Sequence, residues 1–207
     1  MSFVHITRSV LLPAAVLAWL GTTGCEKREN QAAGADSSMM DHADSSMNTP
    51  PAAPELSDAQ IAHIAVTANS IDSASGAAAL KRASNAEVKD FARTMIRDHG
   101  AANKLATDLA TRLSLTPEDN DQSRALKSDN DQAQTNLNSL SGAAFDKAYI
   151  DREVAYHQAV LNALDTALIP GADNAELKAL LEQIRPNVAQ HLQRAQQIQG
   201  KLGTATS

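Results

Sequence analysis

Four long runs of apolar residues at helical spacing constrain the fold of this chain more than any other feature. Within each run the apolar positions recur about every 3.6 residues, which places them on one face of an α-helix. The runs cover residues 57–83, 85–113, 142–169 and 174–201. The same region lacks the alternating pattern of β-strands, so the sequence predicts an all-α domain.

The connections between the runs predict how the helices are arranged. Short turns join the first run to the second and the third to the fourth, so each pair is expected to form an antiparallel hairpin. Residues 114–141 connect the hairpins and include a short, mostly polar segment that could be helical. Two hairpins with a long crossover are the ferritin-like variant of the four-helix bundle. Capping boxes are predicted at Ser57, Ser84 and Asp173, and Pro186 is expected to kink or split the fourth helix.

The first residues predict export and attachment to a membrane. Arg8 precedes an apolar stretch, VLLPAAVLAWL, that is shorter than the roughly 20 residues needed to span a bilayer. The segment TGC, which ends at Cys25, resembles the end of a bacterial lipoprotein signal. Residues 1–24 would then be the signal peptide and Cys25 the lipidated N-terminus, the alternative being plain secretion. Because Glu26 follows the cysteine, we expect a periplasmic lipoprotein that its lipid anchors to the outer membrane.

The composition divides the remaining chain into a tether and a domain. Residues 25–55 are poor in large apolar side chains and are predicted to be a disordered tether. The tether contains a cluster of soft metal-binding side chains: Met39, Met40, His42 and Met47. Copper handling by this cluster is one hypothesis, and a chance cluster in a linker is the other. Residues 56–202 are predicted to form the helical domain and residues 203–207 a disordered tail. The formal net charge of −6 and the lack of a basic patch argue against nucleic-acid binding.

Polar side chains interrupt the apolar face of each of the four runs. These residues are Asp72, His99, Glu153, His157 and His191. Imidazoles and carboxylates bind iron, manganese, zinc and copper, and ferritin-like bundles hold such metals in their core. Isolated buried charges are energetically expensive. The five residues are therefore interpreted either as a metal site or as hydrogen-bonded polar residues of the core.

The rise of a helix, about 1.5 Å per residue, lets the heights of these residues be compared. Each hairpin is expected to bring its own polar residues to one level, and whether the two hairpins share a level is left open. Asp98 is expected to be solvated or to support a neighbouring ligand. Arg152 and His63 are expected at the surface. Tyr149 and Tyr156 are expected to pack.

Three segments of the chain resemble a bacterial envelope family. They are ALKRASNAEVKDFARTMIRDHGAANKLATDLA, LSGAAFDKAYIDREVAYHQAVL and HLQRA, and the resemblance extends over about residues 57–200. The family is called domain of unknown function 4142, is labelled an outer membrane protein and has a ferritin-like bundle. It has no assigned activity, so the resemblance implies a fold and a location but no reaction. The family usually has a glutamate where Asp72 stands in this chain.

The spacing of the polar residues departs from that of di-iron carboxylate bundles, whose Glu-x-x-His ligands are three residues apart. Glu153 and His157 are four apart, and Ile96 stands three residues before His99. The sequence therefore favours a single histidine-rich metal site, or none. The lipoprotein-like signal, the flexible tether and the lack of a recognised catalytic motif predict a non-enzymatic binding or stress-related envelope protein that could form homo-oligomers. A hydrolase is not expected, because no nucleophile motif such as G-x-S-x-G is present. The alternative is a metal-binding ferritin-like protein, with redox activity as one option.

Overall fold

The computed structural model describes residues 55–204, which form helices joined by short loops. The helices are α1 (Asp58–Arg82), α2 (Ala86–Arg112), α3 (Asp121–Asn138), α4 (Gly142–Ala163), α5 (Ile169–Gly171) and α6 (Ala175–Thr204). A π-helical segment, Leu164–Leu168, joins α4 to α5. The described residues contain no strand, which confirms the prediction of an all-α fold.

The helices form the predicted ferritin-like bundle of two hairpins. Helices α1 and α2 pack along each other, as do α4 and α6, while α2 contacts α6 and α1 contacts α4. Helix α3 lies in the crossover and packs on α1 and α4. Helix α6 runs through Pro186 without a break, so of the two expected effects of this proline, a kink or a split, the split is wrong. The same helix includes Gly203 and Thr204, which the sequence had assigned to a disordered tail.

Two of the three predicted helix caps lie one residue later than expected. The capping box of Ser57 is present, with the Gln60 side chain as its partner. At the start of α2, however, the Asn85 side chain accepts the backbone hydrogen bonds that Ser84 was expected to accept. At the start of α6, Asn174 replaces Asp173 in the same way. Asparagine caps helices as well as serine and aspartate do, so either position was chemically suitable.

Each hairpin turn is held by an aspartate from the other hairpin. The carboxylate of Asp146, near the start of α4, accepts hydrogen bonds from the backbone N–H groups of Ser84 and Asn85 at 2.8 to 3.2 Å. The carboxylate of Asp58, at the start of α1, accepts hydrogen bonds at 3.0 Å from the backbone N–H groups of Asp173 and Asn174. The two turns therefore lie at opposite ends of the bundle.

The core consists of two apolar clusters with a polar layer between them. One cluster lies toward the α1–α2 turn and includes Phe91, Phe145 and Ile198. The other lies toward the α4–α6 turn and includes Ile61 and Leu181. In α1, α2 and α4, the residues that interrupt the apolar face fall between the parts that belong to the two clusters, and in α6 His191 lies at the edge of the second cluster, beside Leu192. The fold thus gathers the polar residues at mid-height.

The close approach of α1 to α2 depends on Gly76. A Cβ atom at this position would lie 2.9 Å from the carbonyl oxygen of Ala92 and 3.0 Å from the Cβ atom of Met95. Only a residue without a side chain fits this distance between the two backbones. Gly76 lies one turn from Asp72, so the distance between α1 and α2 is fixed beside the polar layer.

The predicted signal peptide, Cys25 and nearly all of the predicted tether lie outside the described residues. Within residues 55–204, none of the helices has the length and apolar character that a membrane-spanning segment requires.

Candidate metal centre

Five buried side chains from four helices meet in the polar layer. Asp72 comes from α1, His99 from α2, Glu153 and His157 from α4, and His191 from α6. At most 6% of each residue is exposed. The ring centroids of the three histidines lie 5.1 to 5.5 Å from one another. The structure thus brings together all five residues that the sequence singled out, while the binding of a metal by them stays a prediction.

Each of the five side chains has one buried atom without a hydrogen-bond partner. These atoms are Asp72 Oδ2, His99 Nε2, Glu153 Oε2, His157 Nε2 and His191 Nδ1. Asp72 Oδ2 lies 3.0 Å from His99 Nε2 and 3.2 Å from His157 Nε2, but the angles do not suit hydrogen bonds. Leaving a buried polar atom unpaired costs about 1–3 kcal/mol. Five such atoms in one place form a candidate set of metal ligands.

The second ring nitrogen of His99 is held in a way that leaves Nε2 available. His99 Nδ1 lies 2.9 Å from Asn69 Oδ1. The amide nitrogen of Asn69 donates a hydrogen bond of 2.8 Å to the backbone carbonyl of Ala65, which turns the amide oxygen toward the histidine. His99 must therefore donate its proton from Nδ1. In the neutral ring, Nε2 then has a lone pair and no proton.

The other two histidines follow the same pattern. His157 Nδ1 lies 2.9 Å from the backbone carbonyl oxygen of Glu153, and His191 Nε2 lies 3.0 Å from Asp98 Oδ2. Both acceptors fix the proton on the nitrogen that faces them. Metal-binding histidines have this arrangement, in which one nitrogen donates to a carbonyl or carboxylate and the other binds the ion. Of the two roles considered for Asp98, the structure supports that of a residue supporting a neighbour.

The spacing of the unpaired atoms suits a transition metal. The three histidines form one group whose potential ligand atoms lie within 4.8 Å of one another, and Asp72, Glu153 and His157 form a second. With bonds of about 2.0–2.1 Å, neighbouring ligand atoms lie about 3.3 Å apart in a tetrahedron and about 2.9 Å apart in an octahedron. The distances of 3.0 and 3.2 Å from Asp72 Oδ2 fall between these values. Because His157 belongs to both groups, one ion could contact both.

Arg152 lies inside the site, although the sequence placed it at the surface. Only 10% of its side chain is exposed, and Nη1 contacts Asp72 Oδ1 at 3.3 Å and also Glu153 Oε1. Nη2 donates to Asn130 Oδ1 at 3.4 Å, and the guanidinium lies over the ring of Tyr156. The arginine is long enough to reach back from the side of α4 to the carboxylates. It occupies one oxygen of each carboxylate and leaves the other oxygen unpaired.

Burial keeps the three imidazoles neutral. It lowers the pKa of His99 from 6.5 to about 3, an effect increased by His157 and His191 nearby. Burial also lowers the pKa of His157 and that of His191. At neutral pH no proton then competes with a metal for the unpaired nitrogens. Burial and the charge of Asp72 raise the pKa of Glu153 from 4.5 to about 8, so this carboxyl group binds a proton readily until a cation is present.

A cavity of about 190 Å³ adjoins the site between α1, α3, α4 and α6. Asp72, His99 and His157 contribute to its wall, and most of its other lining residues are apolar. Apolar pockets in which a few polar groups converge are the usual form of small-molecule sites. The site therefore has a route along which a small molecule could reach it.

The sequence missed some residues that shape this site and misplaced another. Asn69 precedes Asp72 by three residues, so its place on the same face of α1 could have been recognised from the helical period. The hydroxyl group of Tyr149, which was expected only to pack, is buried without a hydrogen-bond partner. Burial and the charges of Glu153 and Asp72 raise its pKa. His63 is half-buried near Asp119 rather than exposed, and it lies outside the site.

Comparison with known proteins identifies the family of the chain. Residues 43–198 match the family described as Domain of unknown function (DUF4142), and the chain belongs to that family. The match confirms the resemblance seen in the sequence and adds no activity or location. Comparisons with curated proteins and with solved structures found no match.

Proposed function

We propose that this member of the family binds one divalent transition-metal ion in the core of its bundle. The ligands are His99 Nε2, His157 Nε2, His191 Nδ1 and Asp72 Oδ2, with Glu153 Oε2 as a fifth. The observation that carries the proposal is the convergence of these unpaired, buried atoms. These atoms lie in two groups of three that share His157, and a metal ion bound by them would offset the penalty of leaving them unpaired.

The alternative, a purely structural polar core, is less consistent with the hydrogen bonds. Buried polar groups that only specify packing are normally paired with one another. Here the outward-facing nitrogen of each histidine is paired, whereas the nitrogen that faces the centre is not. This asymmetry is expected when a ligand belongs at the centre.

The ligand set favours particular metals. Three imidazoles and up to two carboxylates suit zinc, iron or copper, and manganese is a weaker match because it prefers oxygen ligands. The five residues include no thiolate or thioether, which soft ions such as Cu(I) prefer. We therefore propose Zn²⁺ or Fe²⁺. The role is binding or storage of the metal, and no turnover is assigned.

Metal content tests the proposal. The full-length protein, purified without a histidine tag, is loaded with Zn²⁺, dialysed and measured by mass spectrometry. About one ion per chain is expected, and the double variant His99→Ala/His191→Ala should lose it. His63→Ala is the matched control, because this histidine lies outside the site. Equal metal content in the double variant and the wild type would refute the assignment of these ligands.

The soft ligands in the predicted tether need a separate control. A variant without residues 36–48 lacks Met39, Met40, His42 and Met47 but has the complete core site. It is expected to keep its zinc. If copper binding instead disappears with this segment while the core variant binds copper normally, the tether is the copper site.

We also propose, from the sequence, that Cys25 anchors the protein to a membrane of the cell envelope through a lipid. Support comes from the signal-like segment that precedes this cysteine. In a Gram-negative host, Cys25→Ser is expected to move the protein from the membrane fraction to the soluble periplasmic fraction. An unchanged membrane association in this variant would contradict a lipid anchor at this position.

A further inference from the structure

We propose that the cavity beside the metal site binds a monocarboxylate with a short apolar chain. The carboxylate would complete the coordination of the metal, and the chain would fill the cavity. This inference rests on the proposed metal site and adds a class of ligand to it.

The walls of the cavity match an apolar chain. The buried side chains along it include Ile64, Leu164, Leu168, Leu181 and Val188. A cavity of about 150 Å³ with such a lining stays dry and holds a molecule of benzene. The volume of about 190 Å³ therefore accommodates a chain of about five or six carbon atoms.

The two ends of the cavity differ in character. Asp72, His99 and His157 contribute buried polar groups to one part of the wall. The exposed lining residues include Gln122 and Asp129 of α3, so the cavity opens to solvent beside this helix. A ligand that enters with its carboxylate first would place this group against the metal ligands and its chain along the apolar wall.

The charge of the loaded site requires a negative head group. Histidines that bind a metal are neutral, and carboxylates that bind it are ionised. Arg152 contributes +1, a divalent metal contributes +2, and Asp72 and Glu153 contribute −1 each, so the loaded site has a net charge of +1. This charge is buried, which is energetically costly without an anion.

Neighbouring charges do not remove this excess. Asp98, which supports His191, is also paired with the guanidinium of Arg97 through two hydrogen bonds. Asp129 is exposed at the mouth and is solvated. A monoanion neutralises the excess when Glu153 is ionised, whereas a neutral molecule leaves the charge uncompensated.

Calorimetry with hexanoate tests the proposal. The full-length protein is first loaded with Zn²⁺, and its metal content is measured, so that a failure of metal binding is seen separately. Titration with hexanoate should show one site per chain, and the metal-free protein should bind at least tenfold more weakly. Butyrate, which is two CH₂ groups shorter, should bind about 15-fold more weakly. Hexanol should not bind measurably.

Two variants separate the chain pocket from the charge. Ala163→Phe places a ring in the cavity away from the metal ligands and should abolish hexanoate binding while the zinc content is unchanged. Ala155→Phe is the matched control, because this residue is exposed on α4 and does not line the cavity. Arg152→Met lowers the net charge of the loaded site by one and should weaken the binding of hexanoate to the zinc-loaded protein at least tenfold.

The possible results are distinct. Zinc binding without hexanoate binding would overturn this inference and leave the metal site intact. Equal binding of hexanol and hexanoate would show that a neutral apolar molecule is the ligand, which also overturns it. Hexanoate binding that survives Ala163→Phe would place the ligand outside this cavity, with the same consequence.

Discussion

Replacing Arg152 by methionine should destabilise the metal-free protein strongly and the zinc-loaded protein much less. Arg152 is the cation that both buried carboxylates contact, Asp72 at 3.3 Å and Glu153 more closely. Without it the metal-free site holds acidic groups with no counter-charge. In the loaded protein the metal itself supplies positive charge, so the loss of the guanidinium is compensated.

The magnitude follows from the burial of these groups. Removing one partner from a buried ion pair costs about 3–5 kcal/mol. The lower end applies here, because the raised pKa of Glu153, about 8, lets this group take up a proton at neutral pH. In a domain of this size each kcal/mol changes Tm by about 2–4 °C. The metal-free variant should therefore melt about 6–12 °C below the metal-free wild type.

In the zinc-loaded variant the long hydrogen bond of Arg152 to Asn130 and the contact of the guanidinium with the Tyr156 ring are lost without compensation, and the ring contact is the larger loss. Such a contact contributes about 0.5–2 kcal/mol, so the loss in Tm should stay below about 8 °C. Thermal unfolding followed by circular dichroism, with Zn²⁺ or with a chelator, measures both values. Arg185→Met is the control, because Arg185 and Asp165 form an exposed pair whose loss should change Tm little with or without zinc. Equal losses with and without zinc would refute the argument, since they would show that no cation replaces the arginine.

Three further outcomes are expected. Asn69→Ala should weaken zinc binding about 10- to 100-fold in a competition titration, because nothing then fixes the proton of His99 on Nδ1; unchanged affinity would remove Asn69 from the site. Relative to the Glu153→Gln variant, the metal-free wild type should lose roughly 2 kcal/mol of stability against urea between pH 6.5 and 8, because a carboxyl group whose folded pKa is raised stabilises below its unfolded pKa and ceases to do so as the pH rises through the folded value. The variant is the reference because the three buried histidines, whose folded pKa values are lowered, stabilise both proteins as the pH rises through 6.5. Equal pH dependence of the two proteins would assign the change to another group. Gly76→Ala should destabilise the protein by about 1–3 kcal/mol through overpacking against α2. Gly200→Ala is the control and should stabilise the protein through helix propensity, because the space around its Cβ position is open. Equal effects of the two substitutions in urea unfolding would contradict the close packing of α1 and α2.

The candidate ligands could be predicted because each one breaks a regular pattern. A histidine such as His99 stands out on a helical face where leucine, isoleucine and methionine are expected, and the helical period places it inside the bundle. The period also predicts the helices to within a few residues of their observed ends. Both inferences use only the residues of one helix at a time, which is why a single sequence suffices for them.

The same reasoning did not place Arg152 in the site, because its Cα atom and its guanidinium group lie on different sides of the helix. The Cα atom of Arg152 lies about 100° around the helix from that of Glu153. This position faces away from the core. A long side chain can nevertheless extend along the helix surface and place its charged end far from its own Cα atom. A charge argument was available from the sequence, since two inward carboxylates on one bundle require a nearby cation. The helical period alone could not supply it.

The common level of the ligands is a property of the two hairpins together, and the sequence could not predict it. Asp58 binds the backbone of the α4–α6 turn and Asp146 that of the α1–α2 turn, so the hairpins are held with their turns at opposite ends. The 27 residues of α2 extend about 40 Å. His99 lies about halfway along this length. Because a residue at the middle of a helix is equally far from both ends, polar residues near the middle of the two opposed hairpins lie at the same level. A metal site at mid-height therefore needs no special register between the hairpins beyond their opposed turns. Moving the ligands of each hairpin toward that hairpin's own turn would separate the two sets by twice the distance moved.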